Sequence, residues 1–334
     1  MKITFKNVGQ GDSIILEWYS TEGQNWGIVD CHRYEDSNPV VQYLIENEVD
    51  SIKFIILSHP HYDHYSGLLE LLNFCEQRNI KIERFAHTSG YHFNYMQWFE
   101  LNENKVALLE AIFLKIHHLH QKKLIKYIGN LSQDWGIILD KKQGITLKCL
   151  SPSDDEFTRY FKRAKPIQNP SSESNSRAAN LLSTILQITH KNSYMLLTSD
   201  AEKTTFERLH TTCMDDYFNR KLTLCQIPHH GSLINHYSHF WNDLKRAVNC
   251  PAVVSAGEHG SYNHPEIRVV ESFEQMNYKV YSTNHVHGIA DFIREIEEQM
   301  LISRFETHDE FMESTRVEGD YTFTFTEGRM QEVI

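Results

Sequence analysis

Four side chains with metal-binding chemistry lie within a stretch of six residues, at His59, His61, Asp63 and His64. Imidazole nitrogens and carboxylate oxygens suit Zn, Mn or Fe, and this density is typical of a binuclear transition-metal site. The alternating spacing directs His59 and His61 toward one ion and turns Asp63 and His64 toward a second. A coincidental surface cluster is the alternative, and the position of the loop directly after an apolar run disfavours it.

Two further segments bring the same kinds of side chain to the ends of predicted strands. Asp200 follows an apolar run, where its carboxylate would either bridge two cations or cap the next helix. His229 and His230 follow another apolar run. One imidazole would complete the second metal, and the other would support a ligand or face the substrate. For His264, metal contact, substrate contact and a simple loop role all stay open.

The elements that must position these residues are strands followed at once by polar loops. Residues 52–57, apolar apart from Lys53, are predicted to form a buried strand directly before the loop that carries His59. Predicted strands over 194–198 and 222–227 precede Asp200 and the paired histidines in the same way. A site at the carboxyl ends of strands is expected in an α/β fold, so the sequence predicts that these loops meet.

The chain, residues 1–334, is predicted to be a single α/β domain with two additions. The region from about 88 to 170 differs in character and is predicted to be a partly helical insert. Within it, residues 100–127 carry Leu, Ile and Phe at spacings of three and four, which is typical of a helix. Residues 165–177 are rich in Pro, Ser and Asn and are predicted to form an exposed loop. Residues from about 290 to 334 form a C-terminal extension.

The composition excludes several classes of protein. Hydrophobic residues make up 40% and charged residues 23%, unlike a disordered or fibrous chain. A formal net charge of -11 argues against coating nucleic acid by bulk electrostatics, although a local basic patch or a metal pair can still serve such a substrate. No apolar run approaches the roughly 20 residues of a membrane span, and the N-terminus lacks the apolar segment of a signal peptide. We therefore expect a cytoplasmic protein without membrane contact.

Seven short motifs follow one another in a fixed order along the chain. They are VGQGDS (8–13), IVD (28–30), SHPHYDHYSGL (58–68), NLLS (180–183), LLTSDAE (196–202), IPHHGS (227–232) and VVSAGEHGSYNHP (253–265). This order resembles the metallo-β-lactamase superfamily, and within it the hydrolase domain of the DNA-uptake competence protein ComEC and its stand-alone relatives. The resemblance implies a four-layered αβ/βα sandwich with metals at one edge, between the two sheets.

The resemblance also implies a set of ligands for two divalent metal ions, Zn or Mn. These ligands are His59, His61, Asp63, His64, Asp200 and one of His229 or His230. Asp30 matches an aspartate that orients a ligand histidine through its other ring nitrogen. Asn180 stands near the position where many members of the superfamily carry a further histidine, which leaves the first metal with fewer imidazoles.

The chemistry implied by the resemblance is hydrolysis by metal-activated water, with Asp63 or Asp200 orienting the water or accepting its proton. Phosphodiesters suit paired cations, so we expect a phosphodiesterase or nuclease acting on nucleic acid or a nucleotide. Two alternatives stay open: hydrolysis of a lactone, thioester or amide, and a non-catalytic module that binds a partner. A protein partner or a second copy of the chain would bind through the insert or the C-terminal extension.

Overall fold

A computed structural model of the protein shows two β-sheets. The described residues are 1–21, 23–89, 103–163, 178–303, 318–326 and 329–333. The strands are β1 (Lys2–Phe5), β2 (Ile14–Ser20), β3 (Gly23–Val29), β4 (Ser51–Leu57), β5 (Lys81–His87), β6 (Ile125–Asn130), β7 (Gly136–Asp140), β8 (Ile145–Ser151), β9 (Ile185–His190), β10 (Ser193–Leu197), β11 (Lys221–Gln226), β12 (Cys250–Val254), β13 (Tyr278–Ser282), β14 (Tyr321–Thr326) and β15 (Arg329–Glu332).

The helices among the described residues connect these strands. They are α1 (Pro39–Glu46), α2 (Tyr62–Tyr65), α3 (Leu68–Gln77), α4 (Glu103–Gln121), α5 (Asp154–Arg163), α6 (Lys203–Thr212), α7 (Met214–Tyr217), α8 (Ser238–Asp243), α9 (Ile267–Gln275) and α10 (His287–Ser303). Within the ranges given above, no helix combines the length and the apolar composition needed to cross a membrane.

The strand order makes each sheet partly parallel. The first sheet runs β15-β14-β1-β2-β3-β4-β5-β6, and the second runs β13-β12-β11-β10-β9-β8-β7. Strands β3 to β6 pair in parallel, and so do β10 to β13. Parallel strands need crossover connections, so the loops at their carboxyl ends collect along one edge of each sheet.

Strand β4 shows how the layers are held together. Successive side chains of a strand point to opposite faces. Ile55 and Leu57 pack in a core beneath helices α1, α3 and α4, whereas Phe54 and Ile56 pack in the core shared with the second sheet. Because both faces are covered, residues 54–57 of the strand are apolar without interruption. The second sheet has its own outer core with helices α6, α8 and α9, which completes a mixed α/β sandwich of four layers.

The predicted helix over residues 100–127 is too long. Helix α4 ends at Gln121, the chain turns at Lys123 with a left-handed φ of 61°, and β6 begins at Ile125. Strand β6 then pairs in parallel with β5 through Ile82 opposite Ile125. The apolar spacing of residues 124–128 fits a helix and a strand equally well, and the edge of the first sheet decides for the strand.

The described part of the region predicted as an insert contributes strands to both sheets. It contributes β6 to the first sheet and β7 and β8 to the second. The loop predicted over 165–177 lies outside the described residues. The C-terminal extension contributes β14, which pairs with β1 through Thr322 opposite Thr4, and thereby completes the first sheet beside the N-terminus.

Candidate metal centre

Three loops at the carboxyl ends of parallel strands bring the predicted ligands together. The loop after β4 carries His59 and its neighbours, the loop after β10 carries Asp200, and the loop after β11 carries His229 and His230. Strand β4 belongs to the first sheet, whereas β10 and β11 belong to the second, so the ligands meet at the edge between the sheets. The short helix α2 keeps Asp63 and His64 close to the end of β4.

The ligand atoms fall into two groups that share one residue. His59, His61 and Asp200 form the first group, and Asp63, His64, Asp200 and His230 form the second. In the first group, the Nε2 atom of His59 lies 2.9 Å from Nδ1 of His61 and 3.7 Å from Oδ2 of Asp200. The two groups are therefore adjacent, with Asp200 between them.

The second group has the spacing of ligands around a single small cation. His230 Nε2 lies 3.4 Å from Asp63 Oδ2 and 3.4 Å from Asp200 Oδ1. His64 Nε2 lies 3.5 Å from Asp200 Oδ1 and 3.9 Å from Asp63 Oδ2. Tetrahedral ligands at about 2.0–2.1 Å from a zinc ion would stand roughly 3.4 Å apart.

Asp200 directs its two carboxylate oxygens to different groups. Oδ2 faces His59 at 3.7 Å, whereas Oδ1 faces His64 at 3.5 Å and His230 at 3.4 Å. The side chain is buried at the end of β10, so its orientation is fixed by the fold. This arrangement suits a carboxylate that bridges two cations.

Several of these atoms are buried without a hydrogen-bond partner among the described residues: His64 Nε2, His230 Nε2 and Asp200 Oδ1. Leaving a buried polar atom unpaired costs roughly 1–3 kcal/mol, so a group of them facing one another needs a common partner. Nitrogen and oxygen donors at this spacing fit a divalent transition-metal ion.

The ring nitrogens behind two of these ligands are already bonded. His64 donates Nδ1–H to Asp30 Oδ2 at 2.8 Å, and His230 donates Nδ1–H to the carbonyl oxygen of Ser255 at 3.0 Å. A neutral imidazole with its hydrogen on Nδ1 has a lone pair on Nε2. In this neutral form both histidines would present lone pairs to the second group, and Asp30 contacts the ring nitrogen of His64 that points away from it.

Two serines that the sequence analysis did not single out connect the site. Ser58 donates its backbone N–H to Asp30 Oδ1 at 2.7 Å and its hydroxyl to Asp30 Oδ2 at 2.6 Å. Its hydroxyl also lies 2.8 Å from that of Ser199, which is 3.2 Å from His59 Nδ1. The available signal was their position, since each directly precedes a predicted ligand in sequence.

Left-handed backbone occurs at four residues of this site. Asp30, Ser199, His229 and His230 have φ values of 61°, 46°, 50° and 52°. This region costs a residue other than glycine of order 1–3 kcal/mol, and it persists only where the surrounding structure enforces it. The sharp turns after β3, β10 and β11 aim the following side chains at the centre instead of continuing along the strand.

The electrostatics of the centre are dominated by buried carboxylates that face imidazoles. Burial alone would lower the pKa of His64, but Asp200 and Asp30 hold it well above its ordinary value. Burial alone would raise the pKa of Asp200, but the surrounding imidazoles hold it well below its ordinary value. Burial and the neighbouring imidazoles lower the pKa of His59 well below its usual range. The buried carboxylates therefore favour positive charge on the His64 imidazole, and a cation bound at this place would supply that charge instead of the proton.

The centre opens into a cleft of about 730 Å³, and the remaining predicted site residues line it. Asn180 is buried there, with Oδ1 unpartnered among the described residues. His264 stacks on Tyr262, with ring centroids 5.6 Å apart and an interplanar angle of 6°. Neither residue belongs to the two groups of ligand atoms, and both border the space in front of them.

Comparison with known proteins agrees with this architecture. Residues 9–124 match the family model of the metallo-beta-lactamase superfamily. This match supports a relationship of the chain to that superfamily. It covers the loop that carries His59 to His64, and the mixed α/β fold with two sheets is consistent with the metallo-β-lactamase sandwich. No curated protein matches the chain.

Several solved structures match most of the chain at low sequence identity. The metallo-beta-lactamase fold protein YhfI from Bacillus subtilis has 10% identity and a TM-score of 0.45, over 84% of this chain and 95% of that chain. A metal-dependent hydrolase of the beta-lactamase superfamily has 12% identity and a TM-score of 0.46, over 86% and 96%. Zn²⁺-bound PqqB from Methylobacterium extorquens has 9% identity and a TM-score of 0.44, over 84% and 97%.

Proposed function

We propose that the chain is a metal-dependent hydrolase of phosphodiesters, a nuclease or nucleotide phosphodiesterase of the ComEC-like kind, that uses two divalent ions, Zn or Mn. The observation that carries this proposal is the position of Asp200, whose two carboxylate oxygens face separate groups of histidines. A shared carboxylate holds two cations side by side, and paired cations suit in-line displacement at phosphorus.

The residues divide between the two ions according to their contacts. His59, His61 and Asp200 would hold the first ion, and Asp63, His64, Asp200 and His230 would hold the second. Two ions bound there would lower the pKa of a water molecule, and their positive charge would stabilise the oxyanion that develops.

Asp63 is the better candidate to receive a proton during hydrolysis. Its side chain is 30% exposed toward the cleft, whereas that of Asp200 is 4% exposed. Both oxygens of Asp200 face histidines, whereas only Oδ2 of Asp63 has such a neighbour. Asp63 would therefore orient the attacking water and accept its proton, and Asp200 would position the ions.

The cleft in front of the centre offers contacts for a phosphorylated substrate. Arg33 and Lys105 line it together with His32 and Tyr62. Side chains of this kind recognise phosphate oxygens and the flat faces of bases. A cleft of about 730 Å³ is large enough for a nucleotide or for part of a strand.

The experiment that tests this function is hydrolysis of bis-p-nitrophenyl phosphate by the purified protein with added Mn or Zn. We expect turnover in the wild type and its loss in the double variant Asp63→Ala/His64→Ala. Glu156→Gln is a suitable control, because this buried carboxylate bonds to Ser151 and Ser153 outside the centre. Turnover of lactones, thioesters or amides with none of phosphodiesters would refute the proposal. A protein without turnover that holds well under one metal per chain would be a partner-binding module.

A further inference from the structure

His229 and His230 are neighbours in sequence, but their ring nitrogens are bonded in opposite ways. His230 donates Nδ1–H to the carbonyl oxygen of Ser255, which leaves a lone pair on Nε2. His229 Nδ1 lies 2.8 Å from the amide nitrogen of Asn235, which is a donor. To accept that hydrogen, Nδ1 of His229 must carry the lone pair, and in a neutral imidazole the hydrogen is then on Nε2.

The Nε2 atom of His229 stands beside the metal centre without joining it. It lies 4.0 Å from Asp200 Oδ2, which is beyond hydrogen-bond distance. His229 belongs to neither group of ligand atoms, whereas His59 belongs to the first group and His230 to the second. A nitrogen that carries a hydrogen has no lone pair for a metal, so the contact with Asn235 also disfavours coordination.

The side chain of His229 faces the substrate cleft. It is 19% exposed, compared with 3% for His230, and it lines the cleft beside Asn235. Its backbone is fixed by the N–H bond to the carbonyl oxygen of Ser199 at 2.9 Å and by the left-handed turn. A fixed N–H group next to the bridging carboxylate is placed to contact an oxygen of a bound substrate.

We propose that His229 is a catalytic hydrogen-bond donor to a phosphoryl oxygen of the substrate and that Asn235 is the positioning residue that holds it in the Nε2–H form. This inference rests on the proposed phosphodiesterase function. It assigns the metal-ligand role to His230 and a substrate role to His229. Preorganised donors aimed at an oxygen that gains charge contribute strongly to catalysis, because they need no reorganisation during the reaction.

The first test compares variants of the two histidines in the full chain. His229→Ala is expected to keep the wild-type metal content and to lower kcat about 100-fold, the usual effect of removing one such donor. Its KM should change little, and His229→Gln should recover part of kcat because its amide retains an N–H. His230→Ala should instead lose bound metal. Loss of metal from His229→Ala, or an unchanged kcat, would overturn the proposal.

The second test locates the ring hydrogen of His229 directly and does not depend on measured enzyme activity. In ¹⁵N–¹H NMR spectra of the Zn-loaded protein, His229 should show its hydrogen on Nε2. Asn235→Asp supplies a carboxylate that accepts Nδ1–H, so this variant should move the hydrogen to Nδ1 and lower kcat. Asn242→Asp on the exposed face of α8 controls for the added charge. A wild-type hydrogen on Nδ1 would refute the inference, whereas absent phosphodiester turnover with hydrogen on Nε2 would refute the proposed function alone.

Discussion

Asp30→Asn tests whether the support behind His64 controls metal binding. Asp30 is buried and accepts three hydrogen bonds, from the backbone N–H of Ser58 at 2.7 Å, the hydroxyl of Ser58 at 2.6 Å and His64 Nδ1 at 2.8 Å. An asparagine that keeps the bond from the Ser58 backbone on its oxygen places its NH₂ group against His64 Nδ1. The imidazole must then accept at Nδ1 and carry its hydrogen on Nε2, the atom that faces Asp200.

The expected loss of metal affinity follows from this move of the His64 hydrogen from Nδ1 to Nε2. Loss of a supporting partner typically weakens metal affinity about 10–100-fold, or about 1.4–2.7 kcal/mol. Zinc affinity measured by competition with a chelator should fall by that factor in Asp30→Asn. Glu156→Gln removes another buried carboxylate, which accepts bonds from Ser153 and Arg208, and its zinc affinity should stay at the wild-type value. Wild-type affinity in Asp30→Asn, or equal losses in both variants, would refute the reasoning.

Two further predictions concern stability. Gly257→Ala would place a Cβ atom 2.1 Å from the backbone nitrogen of Gln10, so we expect a loss of about 1–3 kcal/mol in urea unfolding, whereas Gly260→Ala, which points into open space, should lose little. Burial against Phe325 lowers the pKa of His190 to about 4, below the ordinary 6.5, so the unfolded chain takes up the proton first and stability falls with pH below about 6.5. Between pH 7 and pH 5 the free energy of unfolding of the wild type should fall more than that of His190→Leu, and equal losses would contradict this.

The clustering of side chains in the loop after β4 was predictable because it depends on residues that are close together in sequence. The spacing of His59, His61, Asp63 and His64 after an apolar run predicts their convergence, since a short loop at a strand end leaves little freedom. The ring orientations of the paired histidines were not predictable in this way. Asn235 and Ser255 fix the two rings, and both lie on loops whose position depends on the whole second sheet.

The same distinction applies to the fold. Strand β4 has two covered faces and an uninterrupted apolar sequence over residues 54–57, so its type follows from the sequence alone. Strand β6 continues the apolar spacing of α4, and only the free edge of β5 and the left-handed turn at Lys123 separate the two. Residues 88–170 looked unlike the remainder of the chain, yet β7 and β8 hydrogen-bond into the second sheet through β9, a pairing over long sequence separation.

Metal content tests the central claim most directly. The purified protein is loaded with Zn or Mn, and the excess metal is removed. Elemental analysis should then find about two ions per chain, because a two-metal centre stabilises both the attacking and the leaving oxygen. Asp200→Ala should reduce that content, since Asp200 belongs to both groups of ligand atoms. Well under one ion per wild-type chain after loading would contradict the account, as would full occupancy in the Asp200→Ala variant.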